Sequence, residues 1–151
     1  MTERDLSDPQ YVGPGVWLVI HQQALLATTP EQQEHFLQLM DELCDKFPCP
    51  KCRGHCLQYL EQYPPEDYCQ VTVEVKGEER PLGLFLWSWN FHNAVNSRLG
   101  KRLLDWETAY NLYQDHGKEG LSCSKVCLAS GEQGSQAIDL TSVWDRQGSG
   151  R

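Results

Sequence analysis

The chain has 151 residues, enough for one domain that buries roughly 70% of its unfolded surface, so a core needs no metal or disulfide staple. Its 21 acidic against 13 basic side chains leave a formal charge of -8, which offers no positive field to phosphate backbones or anionic lipids and argues against nucleic acid as a partner. No apolar run approaches the ~20 residues of a bilayer span, and residues 1–10 are polar and acidic rather than signal-like, so the expectation is a protein neither secreted nor in a membrane.

Residues 1–10 lack apolar periodicity and read as a flexible leader. From Gly13, the residues Trp17, Ile20, His21, Ala24 and Leu25 recur at helical spacing and predict a first helix ending near Thr28. Thr29 as cap, Pro30 at the first helical position and Gln32 three after the cap form a capping-box pattern. They open a second helix carrying Phe36, Leu39, Met40, Leu43 and Phe47. Pro48 and Pro50 interrupt it, and a third helix, beginning at a CxxC, carries Cys52, Cys56, Tyr59, Leu60 and Tyr63 until Pro64 and Pro65. Val71, Val73 and Val75 alternate ahead of Lys76-Gly77-Glu78-Glu79-Arg80, which leaves a hairpin arm or an extended loop; the loop is expected. Pro81 opens a fourth helix with Phe85, Leu86, Trp89, His92, Val95 and Leu99, closed by Gly100. Asp105 caps a shorter fifth helix with Trp106, Ala109, Tyr110 and Tyr113, ending at Gly117. Beyond Ala129 the tail is rich in Gly, Ser and Gln and is expected to stay mobile.

Seven cysteines is a high count for a chain without a signal peptide. Metal ligation, redox chemistry and inert buried thiols all remain open on composition, and the odd number leaves at least one thiol unpaired within the chain. Cys49-Pro50-Lys51-Cys52 stands at a helix start, where the N-terminal partial charge and Lys51 favour a thiolate poised for disulfide exchange. The rival is a zinc-stabilised interaction module using Cys49, Cys52, His55 and Cys56. Four ligands within eight residues of one helix wrap a tetrahedron poorly, so redox chemistry is preferred. Arg53 after Cys52 excludes haem attachment, and no βαβ pattern supports a thioredoxin-like fold. Downstream, His92 and Asn96 fall four apart on one helical face with Trp87 nearby, which suits either a satisfied buried network or a site for a flat cofactor.

Gly13-Pro14-Gly15-Val16-Trp17 with His21, then Pro48-Cys49-Pro50-Lys51-Cys52, then Trp87 with His92-Asn93-Ala94-Val95-Asn96 and Leu99-Gly100-Lys101, resembles the successive signature of Erv/ALR sulfhydryl oxidases. The resemblance implies an all-α fold, a four-helix bundle plus a short fifth helix with FAD at its mouth, over residues 11–117. Residues 118–151 would then be an arm and tail. It implies an FAD-dependent thiol oxidase acting on dithiol protein substrates with oxygen as acceptor, hydrogen peroxide as product and a homodimer as the usual assembly. By the same resemblance Cys49 exchanges with substrate, while Cys52 lies against the isoalloxazine. Gly13, Trp17, His21, His92, Asn93, Val95, Asn96, Leu99, Lys101 and Tyr113 contact FAD, and no metal is implied. Cys123 and Cys127 match the additional shuttle dithiol that such enzymes often carry. Compact members occur in large cytoplasmic DNA viruses and in mitochondria, so a viral protein of the host cytoplasm or virion is expected, with the mitochondrial intermembrane space as the alternative. An inactive homologue that binds FAD without turnover is a third reading. Pro14 stands where the family commonly has arginine, and Leu25 and Leu26 where it has a tyrosine. Trp89 replaces a cysteine of the family's structural disulfide, so a substitute Cys56–Cys69 bond is expected, with Cys44 a buried thiol.

Overall fold

The computed structural model describes residues 9–118, with side chains from 13 to 114. Most of the leader, and nearly all of the 118–151 arm with Cys123 and Cys127, lie outside the described residues. Among the described residues the elements in order are helix α1 (Pro9–Leu26), α2 (Pro30–Lys46), α3 (Pro50–Gln62), a 3-10 turn (Pro65–Tyr68), strands β1 (Val73–Val75) and β2 (Glu78–Arg80), α4 (Gly83–Arg98) and α5 (Trp106–Lys118). The all-α class is therefore as expected. Two compact units divide between His92 and Asn93.

In the first unit, α1 begins at Pro9, four residues before the expected start, and runs through Pro14. The Thr29 capping box forms: Thr29 Oγ1 accepts the Gln32 N–H at 3.3 Å while Gln32 Oε1 accepts the Thr29 N–H at 3.3 Å. The box occupies two of the orphan donors that every helix start exposes. Phe36, Met40 and Cys44, four apart, make the buried stripe of α2. Phe36 meets the wholly buried Trp87 edge-on with ring centroids 6.0 Å apart, and Trp87 Nε1–H donates to the Tyr63 carbonyl at 2.7 Å. Tyr59 of α3 stacks on Phe91 at 4.7 Å, so α4 is buried against aromatic rings that each remove about 150–250 Å² from water.

Two expectations are corrected in this unit. The segment after Cys69 is a hairpin rather than a loop, with β1 and β2 antiparallel in the register Val73↔Arg80, Glu74↔Glu79 and Val75↔Glu78. Its turn places Lys76 at φ 52° and Gly77 at φ 80°, the pair of left-handed residues that matches strand twist in a two-residue turn. Lys-Gly is a weaker signal for that turn than Asn-Gly or Asp-Gly, which is why alternation alone did not decide. Cys56, moreover, bonds Cys44 and not Cys69, which is free. Residues 47–49 turn the chain so that α3 folds back along α2, bringing the Cys44 and Cys56 Cα atoms to 5.4 Å, within disulfide range. Cys69 instead follows the 3-10 turn, where its carbonyl accepts from Gln33 Nε2 at 2.9 Å.

Gly83 opens α4 at a point of close approach. A Cβ there would overlap the Tyr68 carbonyl oxygen and lie 2.8 Å from the Val71 carbonyl oxygen.

In the second unit, Gly100 follows α4 at φ 68°, the expected cap, with its N–H 3.2 Å from the Ser97 carbonyl. Asn93 Nδ2 donates to the Leu104 carbonyl at 2.9 Å and Asn93 Oδ1 accepts the Leu104 N–H at 3.1 Å, so one side chain closes the turn between α4 and α5. Asp105 caps α5 as expected, accepting the Thr108 N–H at 2.9 Å. That backbone bond, the largest cause, holds the Asp105 carboxyl below the usual carboxylate range.

Candidate active site

Three aromatic residues expected at the cofactor come together in the first unit. Trp17 and His21 sit four apart on α1, with Gly13 four before them, so one helix face carries all three. Trp17 lies flat on His92 with centroids 3.9 Å apart and planes 3° from parallel. His21 lies edge to edge with His92, fully buried, with Nε2 2.8 Å from His92 Nδ1 and Nδ1 2.9 Å from Ser88 Oγ. Burial lowers the His21 pKa to about 3, because the charged ring would lose its hydration, and the ring is neutral near pH 7. Trp17 is half-exposed while His92 is buried, so the stack presents a flat aromatic face.

The cysteine pair is held at the first turn of α3. Cys49 and Cys52 form a disulfide with Cα atoms 5.2 Å apart, both half-buried. Cys49 is also the helix cap: its Sγ accepts the Cys52 N–H at 3.3 Å, and Pro50 occupies the first helical position. Arg53 Nη1–H donates to the Phe47 carbonyl at 2.9 Å and ties the corner before the pair. When the bond opens, the Cys49 sulfur faces orphan N–H groups and the positive end of α3. Tyr59 is seven residues beyond Cys52 on the same helical face. Its ring stacks on Phe91, and Phe91 meets Trp17 edge-on at 5.1 Å. Tyr59, two turns beyond Cys52, thus joins the aromatic layer that ends in Trp17 and His92.

Of the expected contacts in the second unit, Asn93 has its amide bonded at both ends to Leu104, and Asn96, nearly buried, donates to the Arg102 carbonyl at 3.2 Å. Val95 and Lys101 are half-buried, Leu99 is exposed and Tyr113 is completely buried. Trp87, read from sequence as flat surface near His92, is a core residue of the first unit. Sequence reading missed Ser88, because an isolated serine in an apolar helix carries no pattern; only its fourth-residue spacing to His92 hinted at it.

The zinc reading loses its ligands: Cys49, Cys52 and Cys56 are all disulfide-bonded. Among the described residues no group of three or more His, Cys, Asp or Glu could hold a metal ion.

A match to the Erv1/Alr family spans residues 14–115. The chain belongs to that family. Among Erv1/Alr relatives, the FAD-linked sulfhydryl oxidase of African swine fever virus (isolate Tick/Malawi) is 29% identical over 105 residues, which are 68% of this chain and 79% of the relative. The FAD-linked sulfhydryl oxidase ERV2 of Saccharomyces cerevisiae is 26% identical over 107 residues, 68% of this chain and 48% of the relative. Sulfhydryl oxidase 1 of Oryza sativa subsp. japonica is 28% identical over 100 residues, 66% of this chain and 17% of the relative.

Proposed function

We propose that the chain is an FAD-linked sulfhydryl oxidase that forms disulfide bonds in protein substrates. The observation that carries this reading is a disulfide that caps the start of a helix, together with a Trp17–His92 stack, in a chain of the Erv1/Alr family. The residues fit the cofactor: Trp17 over His92 provides the planar aromatic face on which an isoalloxazine could lie. Trp17, His21, Cys52 and His92 are the proposed FAD residues of the first unit, with Gly13 on the same face of α1. Family membership extends the proposal, residue by residue, to Asn93, Val95, Asn96, Leu99, Lys101 and Tyr113 in the second unit, with Lys101 as the cation suited to a diphosphate.

A substrate thiolate attacks Cys49 Sγ, the Cys49–Cys52 bond breaks, and Cys52 leaves as a thiolate. The second substrate thiol then attacks the substrate sulfur of the mixed disulfide, and Cys49 leaves as a thiolate that the α3 terminus stabilises. The substrate becomes a disulfide, and the enzyme pair has gained two electrons and released or kept the two protons. FAD, when bound, accepts that electron pair and passes it to oxygen, giving hydrogen peroxide. In this proposal Cys49 meets substrate and Cys52 passes the electron pair on.

Oxygen uptake with a reduced protein substrate, measured on a preparation whose flavin band is recorded first, tests the proposal. Cys49→Ala and Cys52→Ala should each abolish uptake while the band persists. A folded protein that stays colourless in excess FAD would remove the oxidase, and one that is yellow yet inert would favour the inactive homologue.

Three finer proposals accompany it. Cys123 and Cys127 act as a shuttle dithiol, supported by their spacing after the family domain; single serine variants that oxidise protein substrates at full rate would refute this. The protein works as a homodimer, supported by Val19 and Leu26, seven apart on one face of α1 and 46% and 57% exposed. It works in host cytoplasm or the virion, supported by the viral relatives, with the intermembrane space as the alternative for cell fractionation to decide. Among the described residues no helix is long and apolar enough to cross a membrane.

A further inference from the structure

Ser88 is wholly buried on α4, one turn before His92, and its single hydroxyl proton has a fixed destination. The Ser88 Oγ–H donates to the Phe85 carbonyl at 2.7 Å, and a carbonyl can only accept. Toward His21 Nδ1, 2.9 Å away, Ser88 Oγ can therefore only accept, so His21 carries its proton on Nδ1. A neutral imidazole holds one N–H, which leaves His21 Nε2 as a bare acceptor. His92 Nδ1, 2.8 Å from that nitrogen, must bring the proton of their shared bond. The direction of every bond from Phe85 to His92 follows from one serine. Trp17, stacked 3.9 Å from His92, and Phe85, edge-on to His21 at 5.9 Å, hold the two rings so that neither turns to exchange its nitrogens.

We propose that Ser88 is the positioning residue of this site: its hydroxyl, pinned on the Phe85 carbonyl, sets the tautomer of His21 and through it that of His92. While His92 is neutral, it meets whatever lies at its far nitrogen through a proton-accepting Nε2. Only the identification of FAD as that outer partner rests on the oxidase reading. Without the serine oxygen, the Nδ1 proton of His21 loses its acceptor, and moving it to Nε2 forces His92 to reverse as well. The outer nitrogen of His92 would then be a donor, and any group that donates to it would lose its acceptor.

The test uses the full-length protein, labelled with ¹⁵N at histidine, as the wild type, Ser88→Ala and Ser88→Thr. Long-range proton–nitrogen correlation spectra report which ring nitrogen is protonated, and FAD titration reports affinity. The wild type is expected to show His21 and His92 both protonated at Nδ1. Ser88→Ala should exchange the protonated and bare signals in both rings and weaken FAD binding about tenfold. Ser88→Thr, which keeps the hydroxyl, should restore the wild-type pattern; if its extra methyl prevents folding, the alanine variant alone decides. A wild type with His21 protonated at Nε2, or an alanine variant with unchanged signals, overturns the proposal. If the wild type takes up no FAD, the oxidase reading fails, yet the nitrogen spectra of that same sample still decide the tautomer relay.

Discussion

Acidification should destabilise this protein before its carboxylates become protonated, because His21 must stay neutral to remain where it is. Its pKa falls from an unfolded value of 6.5 to about 3, and burial is the cause. Between those values the unfolded chain binds a proton that the native state refuses, so stability rises with pH across that interval. The contribution is complete above 6.5, is lost progressively as pH falls below it, and levels off near 3. Taking the two values as they stand, the loss from pH 7 to pH 5 is about 2 kcal/mol for this one ring, a sizeable part of a typical 5–15 kcal/mol. Urea unfolding of wild type and His21→Gln at pH 7, 6 and 5 isolates the effect, since groups common to both cancel. The wild type should lose about 2 kcal/mol more than the variant over that range. Parallel pH dependences would show that His21 titrates in the native state as it does in the unfolded chain, and the neutral buried ring would go with it.

Gly83→Ala should cost about 1–3 kcal/mol, read as a lower melting temperature, because the new methyl meets the Tyr68 and Val71 carbonyls rather than movable side-chain ends. Removing the Cys44–Cys56 bond, as Cys44→Ala with Cys56→Ala, should cost about 3 kcal/mol in denaturant unfolding. Peptide mapping without reduction should recover Cys44 linked to Cys56, and an alkylating reagent should mark Cys69 among the described cysteines. That labelling should be slow near pH 7, since burial first and Glu66 second push the Cys69 thiol up. Asn93→Ala breaks both bonds to Leu104 and should cost about 1–3 kcal/mol, with faster amide exchange at Leu104 as the local readout.

The helices were legible because their signals are local: the Thr29 capping box and Asp105 at the fifth helix each act within one turn. The cysteine pairing was not, because Cys44 and Cys56 are brought together by how α3 folds back on α2, a relation that no single stretch of chain encodes. The hairpin fell between these cases, since Val73 and Val75 gave the alternation while the turn depended on an unusual left-handed lysine. At the site, His92 was singled out by its motif and Trp17 and His21 by theirs, yet their stacking order was invisible. That arrangement follows from burial, which sets His21 edge to edge with His92 on its buried side.

The two disulfides are nested, Cys49 and Cys52 inside, Cys44 and Cys56 outside. In the proposed reaction the inner bond would open and close while the outer one still pins the corner in which it sits. Its reduction would then change the oxidation state of two sulfur atoms without slackening the polypeptide that carries them, and each cycle would begin from the same shape in which the last one ended.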